Sequence, residues 1–430
     1  MKWSRPFPVS LAGLVIVAFM LVPDEARPEE APMIPPDPHF ERGEPFRSFE
    51  EFWETLMAFG RMDAGTERDA KVDSFWSTLA DANQIPFVHG DSVAFLCRSD
   101  RGLVQWPGDF NGWGRDDLQW GFRIGDTDLY VLDRTFPRDA RLDYKILLNG
   151  SNWILDPENP LIMWGGFGPN SELRMPDYVY PMETVRREDL PRGTLGDPEL
   201  FRSFNLGYEI GYRVYTPAGY DTLTALPVIY VTDGHEYAAD HMGSMVVVLD
   251  NLIAEKRIEP VVAVFIDPRE IGNPANNRRT SQYVANPAFA NCVADELIPL
   301  VDKKYDTDPA AGRRAILGTS LGGLNSAYFG ATMPDLFQKV AIQSPAFGGW
   351  RQAYDDYRDP SLRSLQIFLS YGTIGDGDDG PAFAALLEER GFDRMVVARN
   401  EGHSWGQWRA LLDDFLVFFF PGEGGAPAGE

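Results

Sequence analysis

Cysteine is almost missing from this chain of 430 residues: only Cys97 and Cys292 occur. They fall in segments that the pattern below assigns to different domains, so two free, buried thiols are expected in place of a disulfide framework. Histidine is nearly as scarce, with five in all. No Cys/His cluster has the spacing of metal ligands, and neither a metal nor a cofactor is expected. Basic residues are outnumbered, 39 Lys and Arg against 64 Asp and Glu, for a formal net charge of −25. That charge repels phosphate backbones and excludes sequence-independent nucleic-acid binding. The apolar run from Leu11 to Val22 is short for a full membrane span.

What is present begins with that run. Lys2 and Arg5 precede it, and Pro, Glu and Asp crowd the residues behind it. Residues 1–26 therefore read as an export signal, cleaved or kept as an anchor, which makes the protein periplasmic or secreted. Residues 27–45, rich in Pro and Glu, read as a linker. The 44% hydrophobic and 13% aromatic content is ample for packed cores, and the length fits two domains plus a processing segment.

Ser48 and Glu51 form a capping pattern ahead of Phe49, Phe52, Trp53, Leu56 and Met57 at helical spacing. A second helix carries Val72, Phe75, Trp76 and Leu79, and both aromatic stripes read as core. From about 86 to 178 short alternating runs take over: Ser92 to Leu96, Leu129 to Leu132, and Leu142 to Leu147. Their spacing, with Gly, Asp and Asn between, predicts a β-sandwich, so residues 46–185 form a helical lead-in and an immunoglobulin-like domain. Gly108-Asp109-Phe110-Asn111-Gly112-Trp113, Tyr144-Lys145 and Asn152-Trp153 resemble the early-set β-sandwich modules found beside starch- and glycogen-acting enzymes. Trp113 and Trp153 are suited to stack on sugars, but the preferred assignment is turn and core. With Trp106 and Trp164 they are candidates for aromatics at a substrate entrance. On that expectation, removing residues 1 to about 185 spares activity on a small ester.

From about 195 to 421 apolar segments alternate with helical ones: Tyr212 to Tyr215, Pro227 to Val231, Val261 to Ile266, Ala315 to Leu317, Val340 to Ile342, Gln366 to Leu369 and Met395 to Ala398. That alternation predicts an α/β domain with a parallel sheet covered on both faces. Residues 422–430 read as a disordered tail.

One apolar strand runs into Gly318-Thr319-Ser320-Leu321-Gly322, followed by a helical pattern. A G-x-S-x-G pentapeptide is weak alone, but between strand and helix it marks a tight turn that lifts a serine above a sheet, as in α/β hydrolases. Glycine on either side removes the collisions such a turn creates. Serine needs a base, and in that fold the chain order is nucleophile, acid, base. Of His39, His89, His235, His241 and His403, only His403 satisfies it. The acid belongs to the loop after the preceding strand, where Asp376, Asp378 and Asp379 all qualify; Asp376 lies closest to the strand end and is preferred. The oxyanion donors expected are the N–H of Leu321 and, from the turn Thr232-Asp233-Gly234-His235, that of His235 or its immediate neighbour. Gly234, Arg269 and Trp405 are candidate substrate contacts.

Tyr230-Val231-Thr232-Asp233-Gly234, Val264 to Arg269, Asn286-Pro287-Ala288-Phe289, Gly318 to Gly323, and Gly402-His403-Ser404-Trp405 with Trp408-Arg409 together resemble the enterochelin esterase-like branch of the α/β hydrolases. The resemblance spans nearly all of residues 200 to 420. It implies hydrolysis of a small-molecule or glycan-linked ester: a siderophore ester, or a feruloyl or acetyl ester of a polysaccharide. Acyl transfer to a sugar would use the same residues, and a non-catalytic glycan-binding protein is the rival from another class.

Overall fold

The structure, a computed structural model, describes residues 37–100, 102–114 and 120–424. The export segment, residues 27–36 of the expected linker and residues 425–430 of the expected tail lie outside the described residues.

The chain enters through two helices, Phe49–Phe59 and Thr66–Asp81. Ser48 Oγ accepts the Glu51 N–H at 3.1 Å and so caps the first. Phe52, Leu56, Phe75 and Leu79 are buried against Phe87, Leu96 and Val131, with Phe52 stacked on Phe87 at 4.0 Å between centroids. The aromatic stripes are therefore core.

Three small antiparallel sheets follow. Ser92–Arg98 pairs with Leu129–Thr135, Arg141–Tyr144 with Gly168–Arg174, and Ile146–Leu148 with both Val104–Gln105 and Asn152–Ile154. The single strand expected over Leu142–Leu147 is divided, because the Lys145 N–H donates to Pro107 O at 2.9 Å. The chain changes sheets at that residue. Trp106 is fully buried beside Phe95 and Tyr144, which corrects its expected place at an entrance.

The remainder is built on one sheet of nine strands. Seven are named here: β1 (Glu209–Thr216), β2 (Val228–Val231), β3 (Val262–Asp267), β4 (Arg314–Thr319), β5 (Lys339–Gln343), β6 (Gln366–Gly372) and β7 (Asp393–Arg399). Their order is β1-β3-β2-β4-β5-β6-β7, with Thr194–Leu195 and Glu199–Arg202 paired to the outer side of β1. Strands β2 to β7 are parallel as expected; β1 is antiparallel to β3, so the sheet is mixed. No α-helix lies between β1 and β2, and without a crossover the chain returns in the opposite direction.

Successive residues of β4 serve opposite faces. Ala315 and Leu317 join one core cluster and Ile316 the other. The helix Leu321–Thr332 (α1) covers the second face through Leu324, Ala327 and Phe329, and the helix Leu412–Phe419 (α2) covers the first through Leu412, Phe415 and Leu416. Each of the Leu, Ile and Phe side chains among them contributes roughly 1.5–3 kcal/mol when fully buried, so the C-terminal strand ends in the middle of the sheet are held rigidly. Cys97 and Cys292 are both buried free thiols.

Candidate active site

Strand β4 ends in the turn that carries Ser320, whose backbone lies at φ 59° and ψ −117°. That conformation costs a non-glycine residue of the order of 1–3 kcal/mol, and the surroundings over-determine it. Ser320 N–H donates to Gln343 O at 2.9 Å, while its carbonyl accepts from Leu324 N at 3.0 Å and Ala346 N at 3.1 Å. A Cβ at Gly318 would overlap the Gly322 carbonyl, and one at Gly322 would lie 2.8 Å from Thr232 Oγ1. The pentapeptide glycines are thus required by close approach. Helix α1 starts at the next residue and directs its positive end at the serine.

Adjacent strand ends bring the other groups to the same edge. Thr319 pairs with Gln343, and Gln343 with Ser370 on β6. Asp376 stands beyond the end of β6 and His403 beyond the end of β7. His403 Nδ1 contacts Asp376 Oδ1, with the carboxylate completely covered and the imidazole 22% exposed. The second oxygen, Asp376 Oδ2, accepts from Gly372 N at 2.6 Å and Ser344 Oγ at 2.7 Å. The other two aspartates of the loop point elsewhere. Asp378 precedes the helix Asp379–Arg390 with no capping bond from its side chain, and Asp379 binds Tyr354 Oη at 2.9 Å and Arg351 Nη1 at 3.0 Å.

Ser344 escaped the sequence analysis because nothing in Gln343-Ser344-Pro345 marks it. It follows β5, is buried at φ 43°, accepts from Trp408 Nε1 at 2.9 Å and lies 3.0 Å from the Gln407 side-chain amide. The Trp408 ring meets the His403 ring edge-on at 5.0 Å. The imidazole therefore has an aromatic wall on one side and a fixed carboxylate behind Nδ1, and its Nε2 makes no hydrogen bond among the described residues.

The second donor turn follows β2. Asp233 is fully buried at φ 52°, its carboxylate oxygens each 2.9 Å from Arg279 Nε. Burial pushes that carboxyl up to about 6, against the pull of Arg279. Arg279 Nη2 also donates to Thr319 O at 3.1 Å, so one guanidinium ties the two turns together. Neither the Leu321 N–H nor the His235 N–H donates to a backbone carbonyl among the described residues. Leu321 begins α1 and His235 is the second residue of the short helix Gly234–Tyr237, so both lie in a first turn, where N–H groups lack internal acceptors.

The remaining candidates separate. Gly234 is a packing glycine, since a Cβ there would overlap the Phe265 backbone. Arg269 is a third exposed, but its Nε and Nη2 engage Asp267 at 3.0 and 2.9 Å. The His235 ring lies between Asp267 and Glu236, with Nδ1 3.3 Å from Asp267 Oδ1. Trp405 needs correction: it is buried, edge-on to Tyr237 at 4.8 Å and to Trp408 at 5.3 Å, and supports the site from inside the core. Trp113 is held by its Nε1, which donates to Asp109 Oδ1 at 2.9 Å. Trp164 lies edge-on to His241, and a Cβ on neighbouring Gly166 would come within 2.9 Å of Glu236 Oε1, so that hairpin reaches the His235 turn.

A model of the family described as Putative esterase matches residues 203–419. The uncharacterized protein YjcH of Bacillus subtilis is 24% identical over 237 residues, covering 52% of this chain and 96% of its own length. An endo-1,4-beta-xylanase/feruloyl esterase of Xylanibacter ruminicola is 25% identical over 243 residues, covering 54% of this chain but only 32% of its own, so the likeness concerns about a third of that protein. The crystal structure of the enterobactin esterase from Shigella flexneri superposes with a TM-score of 0.63 at 22% identity, covering 76% of this chain and 92% of that one. That similarity establishes the α/β-hydrolase type of fold.

Proposed function

The chain belongs to the Putative esterase family, in its enterochelin esterase-like group, and is a carboxylic ester hydrolase; from that premise we propose that Ser320 forms an acyl-enzyme with His403 as base and Asp376 as acid. The observation that carries this assignment is the His403–Asp376 contact, made beyond the ends of neighbouring strands β6 and β7 on the same edge of the sheet where β4 ends in a serine held at positive φ.

In the first half-reaction Ser320 Oγ attacks the ester carbonyl carbon and its proton passes to His403 Nε2. Asp376 receives the Nδ1–H hydrogen bond and stabilises the imidazolium. The carbonyl oxygen becomes an oxyanion facing the N–H groups of Leu321 and His235, at the positive ends of two helices. Collapse breaks the ester C–O bond, and the Nε2 proton leaves with the alcohol. In the second half a water gives its proton to His403 and attacks the acyl carbon, and the proton then returns to Ser320 as the free acid departs.

The substrate classes we assign are a small siderophore ester or a feruloyl or acetyl ester on a glycan. Relatives named as an enterobactin esterase and as a xylanase/feruloyl esterase support that range. The residues before 195 form an early-set β-sandwich with its helical lead-in on this view, and the protein is exported. The test is a screen of the purified chain against p-nitrophenyl acetate, methyl ferulate, acetylated xylan and catecholate siderophore esters, with products identified with and without a sugar acceptor. Hydrolysis of one class, lost at least about a thousandfold in Ser320→Ala, is expected. A Ser320→Ala protein that keeps a tenth of the rate ends the assignment.

A further inference from the structure

The loops that carry Asp376 and His403 are packed against the N-terminal module. Arg141 N–H donates to Asn400 O at 3.2 Å, and Arg141 forms a bridge with Glu401, two residues before His403. Its side chain is fully buried. Nη1 donates to Ser404 Oγ at 3.0 Å, on the residue directly after His403, and Nε donates to Glu172 Oε1 at 2.9 Å. Nη2 pairs with Asp143, so all three nitrogens are engaged. The guanidinium lies so close to Gly406 that a Cβ there would overlap it.

Asp109 occupies the neighbouring position, also buried. Its carboxylate accepts from Asp143 N at 2.7 Å and from Trp113 Nε1 at 2.9 Å. A Cβ at Gly402, next to His403, would overlap the Asp109 side chain; one at Gly375, next to Asp376, would overlap the Asp109 carbonyl. The aspartate is thus wedged between the two loops. Ile374 of the Asp376 loop packs onto the module's own core, and its N–H donates to Glu401 O at 3.2 Å.

We infer that Arg141 and Asp109 are positioning residues for ester hydrolysis: they belong to the module and fix, through Ser404, Gly402 and Gly375, the two loops that hold His403 and Asp376. This rests on the triad proposed above. Misplacement of a reacting group by about 1 Å costs on the order of a hundredfold in rate, so a wall of buried side chains on both loops has leverage on turnover without touching substrate. Arg141 also differs from ordinary interface packing, because its Nη1 bond ends on Ser404, the neighbour of His403; Asp109 keeps its carboxylate bonds inside the module and meets the two loops by close packing at Gly402 and Gly375.

The test uses the full chain with Arg141→Lys, Arg141→Met, Ser404→Ala, the Arg141→Met/Ser404→Ala double variant, and Ser320→Ala and His403→Gln as references. For the parent and the Arg141 and Ser404 variants, rates on p-nitrophenyl acetate are divided by the fraction of sites that a fluorophosphonate labels when the reaction is run to completion, so unfolded protein drops out. The two reference variants, which lack the labelled serine or its base, are compared per mole of protein folded by circular dichroism. The expectation is a roughly 10- to 100-fold lower kcat for Arg141→Met, KM within about twofold, and a shifted acidic limb of the kcat–pH profile. Arg141→Lys should recover part of the loss, and Ser404→Ala should add little to Arg141→Met, since both cut one path. An Arg141→Met protein that keeps its kcat and pH profile per labelled site while melting at lower temperature overturns the proposal and leaves a structural role. Should Arg141→Met fail to yield folded protein, Ser404→Ala alone carries the test: unchanged kcat and pH profile reject the Arg141 path. Activity surviving in Ser320→Ala or His403→Gln overturns the triad instead, so the two failures are distinguishable.

Discussion

At the scale of single residues, the acid is where sequence and structure differ in what they can say. Three aspartates share one Gly-rich loop, and a sequence distinguishes them only by distance from the strand end. The structure separates them: Asp376 faces His403 Nδ1, Asp378 stands at the start of a helix without a side-chain cap bond, and Asp379 is engaged by Tyr354 and Arg351. Asp376→Asn is expected to lower kcat about a thousandfold or more, because an amide at that point leaves the imidazole without the carboxylate that fixes its tautomer. Asp378→Asn should stay within about twofold of the parent. Comparison of the two rates on p-nitrophenyl acetate decides it, and a large loss at Asp378 with an active Asp376→Asn protein would move the acid. Ser344 was not legible at all. A lone serine before a proline has no pattern, and its bond to Asp376 arises only because β5 and β6 are neighbours. Ser344→Ala removes one of the donors on Oδ2 and deprives Trp408 Nε1 of its acceptor, so it should lower both kcat, about tenfold, and the melting temperature.

At the scale of elements, the central strands β2 to β6 were legible as apolar runs because they are buried on both faces, whereas edge strand β7 is partly exposed along its length. The direction of β1 was not, since orientation depends on the connection and not on the strand's own residues. The break at Lys145 was also hidden, because a backbone bond to Pro107 decides it. The loop between β7 and His403 carries a further consequence. Glu401 is buried, and burial pushes its carboxyl up to about 7; Arg141 and Arg399 pull it down, while Glu172 and Asp143 push it up. An unfolded glutamate loses its proton near about 4.3. Between these values the folded protein holds the extra proton, so stability falls as pH rises through this window and stays low above it. Glu401→Gln should therefore melt at a temperature higher by about 2 °C or more at pH 8, with little difference at pH 4.5, consistent with roughly 1–3 kcal/mol. Asp109, pushed up to about 7 by burial and by Asp143, works in the same direction and remains in the variant. Equal shifts at both pH values would contradict the assignment.

At the scale of the whole molecule, the sequence reads in two parts, with a change of texture near residue 195, and nothing in it reports the contacts between residues on either side. Arg141 and Ser404 are 263 residues apart, and no local pattern links them. The Gly108–Trp113 segment reads as a turn in sequence; in the structure its Asp109 stands against both active-site loops. The expectation that a domain lacking residues 1–185 keeps its activity on a small ester is therefore reversed. Folded by circular dichroism, that fragment should hydrolyse p-nitrophenyl acetate at less than a tenth of the parent rate, and a comparable rate would return the module to a bordering role. The most direct test of the central claim is mass spectrometry of the full chain after reaction with a fluorophosphonate. The account predicts one adduct, on the peptide containing Ser320, slowed by a hydrolysable ester and absent in Ser320→Ala. An adduct on another residue, or none on a protein that still turns over ester, would contradict it.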